Sequence, residues 1–474
     1  MKYYAIMLKK INLLILTTLA AGAWSQKGTQ TPYSMFGLGE LNQGEYAAFM
    51  SMGGISIANS DSTIANHNNP ASYAYIQRYR PIFQVGLNGR YSVFNTSNTT
   101  SSQQHVSLNQ FQLALPIKKK WGASLGLVPY SFTGYTITNY EVTDGDTTAQ
   151  NINDGSGAIS KLFLGVAYKP LNYSKLSTHY TKRDTSYTTK THILSLGVNG
   201  TYLFGSVART QSHELIGLPG AYNARVKTAL RINAPQVQFG INYQYYFRPA
   251  YTDSLINGSF SIGASYTPGM QLRAYHDLFA HNYKGSGDFS YTYDTIEFVT
   301  DDKGYVYVPD QYKIGLEYRI GWKPSRKGER LLRLGAELNY QQWSAYRENF
   351  GTETSVPFYR DRLGLAFGLE FSPFVGNDPS ISILSRTNYR FGFNYTQTEL
   401  VLSDIGLNNY GMSFGFGIPL NVNSTNTSLN LGATFGKMGT TEGGLIEEKY
   451  IGFYFGISII PDRNELWFVK RKYD

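Results

Sequence analysis

Between residues 81 and 460 the apolar residues of this chain fall at every second position. After residue 25 it nowhere offers the about twenty continuous apolar residues that a membrane-spanning helix needs. The last run is the clearest: Ile451, Phe453, Phe455, Ile457 and Ile459 lie on one face, Gly452, Tyr454, Gly456 and Ser458 on the other. The pattern recurs from Val237 to Phe247 and from Leu332 to Tyr340, with Gln238, Asn242, Arg333, Glu337 and Asn339 on the second face. It recurs again from Leu363 to Phe371 and from Met412 to Ile418, with Arg362, Gly364, Gly368, Glu370 and Gly415 on the second face. A period of two means strands with unlike faces. In lipid such strands must close into a barrel, because no water is there to satisfy a free sheet edge.

A soluble sandwich alternates in the same way, with its apolar face inward. Three features favour the membrane barrel: an export signal, the number of such strands, and Tyr and Phe near strand ends. Lys2, Lys9 and Lys10 form a basic start, Ile11 to Ala21 a short apolar run, and Ala23-Trp24-Ser25 a small-residue cleavage site. We expect residues 1–25 to be a signal peptide and the mature chain to start at Gln26. The 48 Gly and 39 Tyr suit small residues inside a barrel and aromatic girdles outside it. There is no Cys, which excludes disulfide, thiolate and lipoprotein chemistry. The formal charge of +9 falls by three to +6 once the signal lysines are removed. Those charges are scattered, so no basic stripe points to nucleic acid.

We count fourteen to sixteen strand candidates in residues 81–460, leaving open whether Asn223 to Phe247 is a strand pair or one interrupted strand. Polar stretches at Asn95 to Gln104, Asp144 to Gly157, Tyr173 to Thr191, Asp277 to Gly287 and Glu348 to Pro357 read as extracellular loops. Lys118-Lys119-Lys120 reads as a periplasmic turn and Asn421 to Ser428 as a hairpin connection. Residues 26–80 lack sustained alternation. They read as a plug folded into the lumen, since irregular backbone at membrane depth must be buried in protein. Residues 461–474 form a tail.

The plug carries a family likeness. Gly53-Gly54, Ala58 and Asp61 lead into His67-Asn68-Asn69-Pro70-Ala71, and this stretch resembles the N-terminal hatch of the FadL/TodX-like family of outer-membrane channels for hydrophobic compounds. Softer matches are Gly263 to Pro268 with Leu272, Pro309 to Tyr318, and Trp343-Ser344. The tail from Asn464 to Asp474 resembles that of Bacteroidetes members, among which PorV-like proteins serve protein secretion. The resemblance implies an all-β, transmembrane antiparallel barrel of fourteen strands in the Gram-negative outer membrane, with the hatch inside. It implies passive uptake of long-chain fatty acids or other hydrophobic molecules through an apolar lumen, a hatch that rearranges, and lateral exit into lipid. Gly53, Gly54, Asp61, His67, Asn69, Pro70 and Ala71 are then the ligand and gating residues. The PorV-like alternative is a barrel that binds protein partners of a secretion or surface-attachment machine. A transporter should show an apolar groove and an inward-kinked strand; a scaffold should show a plug without a continuous route and an outward-facing partner patch.

Other chemistry is weaker. His276, Asp277 and His281 read as a solvated loop in preference to a metal site, and Asp301-Asp302-Lys303-Gly304 as a turn. His105 and Ser107 share a face, but no third group completes a catalytic set. His67 could contact ligand or sense pH, although a satisfied plug histidine is the plainer reading. We expect no enzyme activity, no cofactor and no metal.

Overall fold

A computed structural model describes residues 28–461 apart from 43–44, 144–145, 181–184, 219, 250–255, 286–289, 326–327, 351–352, 356–358, 376–379 and 421–426. The expected signal peptide and most of the tail lie outside the described residues, as does most of the Asn421 to Ser428 connection.

The chain opens with a two-residue strand, β1 (Glu40–Leu41). The wall begins with β2 (Ile82–Asn95), β3 (Thr100–Lys118), β4 (Trp121–Thr143), β5 (Asp146–Tyr180), β6 (Thr185–Leu215) and β7 (Asn223–Pro249). It continues with β8 (Ile256–Thr267), β9 (Met270–Lys284), β10 (Tyr291–Val308), β11 (Gln311–Ser325) and β12 (Gly328–Gln341). After two short strands, β13 (Arg347–Phe350) and β14 (Glu353–Ser355), it ends with β15 (Arg362–Val375), β16 (Asn388–Leu402), β17 (Ile405–Pro419), β18 (Ser428–Met438) and β19 (Glu447–Ile459). Every pairing is antiparallel, and β19 pairs with β2 from Ile459↔Phe83 to Glu447↔Asn95, which closes the sheet into a fourteen-strand barrel. The count is fourteen because β8 runs on into β9 and β10 into β11 as single wall strands. The segment Asn223 to Phe247 is one unbroken strand, β7.

Outside, the wall is dressed for lipid. Ile314 and Leu316 on β11, Met412 and Phe414 on β17, and Phe453 and Phe455 on β19 are exposed. Aromatic rings bound this band at both edges: Tyr266, Tyr312 and Tyr340 pair across β8, β11 and β12, and Tyr395 pairs with Tyr410. At the other edge Trp322 stacks on Phe371 and Tyr389 packs edge-on against Phe416. From Tyr312 to Trp322 is about ten residues, the length a tilted strand needs to cross a bilayer. The Tyr266 and Tyr340 hydroxyls donate to Asp310 (2.7 Å) and Asp361 (2.6 Å), so the wet ends of these rings are satisfied.

Ile82 and Ile459, where the wall starts and finishes, lie at one end, called the near end here. The Lys118 to Lys120 turn lies there too. So does the tip of the β5–β6 hairpin, which corrects the expectation that Tyr173 to Thr191 is an extracellular loop. Asp146 to Gly157, Asp277 to Lys284 and Thr100 to Gln104 are also strand, and Asp301–Asp302 marks a register shift inside β10 and not a turn. The reason is common to all of them. These hairpins continue their hydrogen-bond ladders past the bilayer, where polar side chains on both faces erase the alternation but not the strand.

Candidate functional site

The segment from Gly28 to Ile76 touches nearly every wall strand. It does so through glycines. Going round the wall, a side chain on Gly122, Gly165, Gly197, Gly240, Gly263 or Gly315 would overlap residues 57–73 or, at Gly165, Asn199 as well. One on Gly335, Gly368, Gly392, Gly415, Gly432 or Gly456 would overlap residues 46–55. Many of these glycines face each other in register, as Gly197↔Gly240, Gly263↔Gly315, Gly335↔Gly368 and Gly368↔Gly392 do. They form a belt of bare backbone on which the segment rests.

Polar wall residues then tie the segment down. Glu337 accepts from the backbone N–H of Ser56 (2.6 Å) and Ile57 (2.9 Å). Gln238 donates to the Asn68 carbonyl (2.7 Å), and Asn199 donates to the His67 carbonyl (3.1 Å) while accepting from the Tyr73 hydroxyl (3.0 Å). On the near side of the belt a buried row of alternating charge crosses four strands. Arg333 binds Glu317 (2.6 Å) and Glu370 (3.7 Å), and Glu370 is also held by Arg390, which donates to Asn430 (2.7 Å). Arg319 and Arg333 both donate to Asn59 Oδ1, and Asn430 donates to the Tyr46 hydroxyl, so this row grips the segment at two points. A charge buried at this depth is tolerated because it is paired and hydrogen-bonded.

The residues expected to form the hatch all lie in this segment, in distinct roles. Gly53 and Gly54 have φ of 74° and 94°, open to glycine, and the Gly53 N–H donates to Ser413 Oγ (2.9 Å). Asp61 caps its own turn through Thr63 N (2.9 Å) and Thr63 Oγ1 (2.8 Å). Asn69 Oδ1 accepts from Ala71 N (3.1 Å) at the head of the short 3₁₀ turn Pro70–Tyr75. Its amide donates to the carbonyls of Ile57 (2.7 Å) and, on the wall, Ile241 (3.0 Å). Pro70 and Ala71 rest on Gly240 and Gly197. His67 stacks on Phe163 (5.5 Å between ring centres). Burial, aided by Lys161 and Lys313, holds its pKa well below the usual histidine value, so the ring is neutral.

The lumen differs from the expected apolar one. Two cavities, about 150 and 120 Å³, flank the segment around Glu45 and Gly53. The smaller is polar, with Asn68, Lys161, Gln236, Gln238, Lys313, Glu337 and Gln341 on its walls. The larger mixes Tyr33, Phe36 and Leu38 with Glu40, Arg90, His105 and Glu399. Both are small beside the about 300–1,000 Å³ of a ligand pocket, whereas a third cavity of about 700 Å³ opens at the gap between β3 and β4, walled by Gln30 of the segment with Arg90, Gln104, His105 and Thr136. Beyond them, toward the distal end, Leu38, Ile159, Leu203, Val207, Leu230, Ile232, Leu272, Val306, Trp343 and Tyr346 fill the lumen as a dry layer, each under 4% exposed. These apolar residues pack against one another, and Leu38 and Trp343 among them also line the larger cavity.

The pairing of the wall breaks at two places within the barrel: β3 and β4 pair only from Phe111↔Leu127 to Lys118↔Trp121, leaving Thr100–Gln110 of β3 without a partner in β4 while β1 pairs with β4 at Phe132 and Ser131, and β7 changes partner between β9 and β8. β7 pairs with β9 through Asn223–Ile232 and with β8 through Phe239–Phe247, so Asn233–Gln238 meet no ladder partner on that side. Pro268-Gly269, between β8 and β9, sits opposite, where proline has no N–H to donate. Elsewhere, Ser107 donates to Asn88 Oδ1, while His105 lines the larger cavity beside Glu40 and Arg90. His276 packs on Phe350, His281 on Phe279, and Asp277 pairs with Arg231 (3.1 Å), so these three do separate jobs.

The wall side of this arrangement was only half visible beforehand. The alternation puts Arg333, Glu337 and Gln238 on the second strand face, where they hold the segment, and Glu337 and Gln238 also line the polar cavity.

No curated protein matches the chain in sequence. In fold it is similar to the toluene transporter TbuX of Ralstonia pickettii (13% identity, 88% of this chain and 98% of that one, TM-score 0.47). It is also similar to a FadL homologue of Pseudomonas aeruginosa (13%, 92% and 100%, TM-score 0.47) and to the toluene transporter TodX of Pseudomonas putida (14%, 89% and 99%, TM-score 0.43). Identities this low carry nothing about cargo. The profile of one family, BamG, matches residues 7–181 and 184–474, almost the whole length. The chain belongs to the BamG family.

Proposed function

We propose that this protein is a sealed outer-membrane barrel that works through its outer surface, as the partner-binding component of a larger protein assembly. The observation that carries this is how tightly the segment is seated across the barrel. The segment lies flush on twelve belt glycines and the distal half is filled by a dry apolar layer. A solute that enters by the cavity between β3 and β4 would still have to displace the segment to cross. Overlying this is a surface that a free-standing pore does not need: Tyr291, Tyr293, Ile296 and Phe298 stand exposed at the distal end, beyond the bilayer. The hatch residues Gly53, Gly54, Asp61, His67, Asn69, Pro70 and Ala71 then act as a fixed seal.

The breaks between β3 and β4 and at the β8–β9 junction favour a second reading, passage of a hydrophobic molecule such as a fatty acid with lateral exit at one of them. Such a molecule loses little on moving from an apolar interior to lipid, whereas crossing a polar cavity costs it about 25 cal/mol per Å² of apolar surface. Entry of labelled fatty acid and of toluene into proteoliposomes decides between the two. A sealed barrel leaves entry at the rate of protein-free vesicles. Acceleration by the wild-type protein overturns the sealed reading in favour of passage.

A further inference from the structure

The outer half of β10 has an unusual surface. Along its whole length β10 pairs with β9, from Tyr291↔Lys284 to Val308↔Met270. Its other edge is covered by β13 at Gly304–Tyr307 alone. From Tyr291 to Lys303 that edge has no ladder partner among the described residues, and from Tyr291 to Phe298 both faces are exposed. Tyr291 and Tyr293 are each 59% exposed, Ile296 64% and Phe298 66%. Lipid does not account for them. Phe298 lies fourteen residues beyond Tyr312 of the distal girdle, about 45 Å along the strand at ~3.3 Å per residue. At the usual barrel tilt that is ~35 Å outside the bilayer band.

Free edges invite indiscriminate pairing, and proteins blunt them with charges and bulges. Both devices are present. The β9–β10 ladder shifts register at Thr292/Asp294, Thr295/Glu297 and Val299/Asp302. Asp294, Glu297, Asp301 and Asp302 make the edge acidic against the single Lys303. Asp301 is already held by Arg231, whereas Asp294 and Glu297 make no ion pair among the described residues. An edge of this kind turns away acidic strands and selects basic ones.

We propose that Tyr291–Lys303 is a docking edge for a partner protein outside the bilayer, which adds an extended segment bearing Lys or Arg between apolar residues. The backbone edge supplies the hydrogen bonds, the aromatic and aliphatic side chains the buried area, and Asp294 and Glu297 the selectivity. This rests on the partner-binding reading above and assigns its surface.

The test uses the full chain in its own outer membrane, with a photo-crosslinking residue at Phe298 and, as a lipid-facing control, at Met412. In parallel, the complex is purified from wild type, from an Asp294→Lys/Glu297→Lys double variant and from Ile296→Lys. Heat-shifted gel migration confirms that each barrel is folded. The expected result is a crosslink from position 298 alone, to an extended basic segment of one partner, with retention of that partner falling about ten-fold or more in both charge variants. Crosslinking only to a second copy, or only to lipopolysaccharide, overturns the proposal. A partner retained at wild-type level in both variants shows that the surface is elsewhere while the partner-binding reading stands. No partner on the wild-type protein overturns that reading and this edge with it.

Discussion

Gly392→Ala tests whether the belt holds the segment in place. A Cβ at Gly392 would fall inside the van der Waals contact of Gly53 N, Met52 C and Gly53 Cα. All three are backbone, so no rotamer change relieves the overlap. Gly392 also has no need of glycine's special conformations, so the cost is one of space alone. Overpacking of this kind costs about 1–3 kcal/mol. If that strain loosens the segment, its opening rises about 5- to 150-fold. The chain has no cysteine, so a single Ala48→Cys reports on the segment without background. Ala48 lies in the short helix Ala47–Met50, whose turn is bonded onward through Gly53 N to Met50 O and Gly54 N to Phe49 O. Its thiol-labelling rate in the folded barrel should rise by that factor. The control is Gly364→Ala, on the inward face of β15, where the nearest atoms stand 3.6 Å from the added carbon. That variant should label like the parent. Equal labelling of the Gly392→Ala protein and the parent, or an equal rise in the Gly364→Ala control, refutes the belt as the seat of the segment.

Three further perturbations probe the same seal. Arg333→Met leaves Glu317 and Glu370 short of their shared partner and Asn59 short of a donor, and should cost about 3–5 kcal/mol in a denaturant titration of the folded barrel. Asn69→Ala removes the cap on Ala71 N and two amide bonds and should cost about 1–3 kcal/mol in the same titration; a change within 0.5 kcal/mol, roughly the scatter of a surface substitution, would count against a structural role. His67 is neutral when folded and takes a proton when unfolded below its ordinary pKa of about 6.5. The unfolded state then binds more protons, so stability is full above that pH and should fall by up to about 1.4 kcal/mol per pH unit below it. His67→Gln should flatten the acid limb of a melting-temperature series between pH 8 and 5, and an unchanged limb would exclude the histidine as its cause.

The barrel was readable because lipid outside and a crowded lumen inside force unlike faces on each strand. Leu363 to Phe371 and Ile451 to Ile459 carry that contrast plainly, and both are wall strands. The contrast ends where the bilayer ends, which is why Asp146 to Gly157 and Asp277 to Lys284 lie in stretches that read as loops while continuing as ladders. Glycine on the inward faces was visible, but its purpose was not. Gly368 looks the same in sequence whether it opens a channel or seats Met52. Charge had the same ambiguity, since Arg333 and Glu370 suit a wet lumen as well as a buried ion row. The Asn69-Pro70-Ala71 stretch did mark buried, tightly bonded backbone, because a capping amide followed by proline has few other uses. The break between β7 and the β8–β9 junction depends on which strands pair across the sheet, and no single segment encodes that.

The central claim is that the lumen is closed and that function resides in what the outer surface binds. It is tested most directly by native mass spectrometry of the protein taken from its own outer membrane in mild detergent. The account predicts a stoichiometric protein partner and no bound apolar small molecule. A barrel that arrives alone and carries a fatty acid or similar molecule, lost when residues 52–71 are altered, would contradict it.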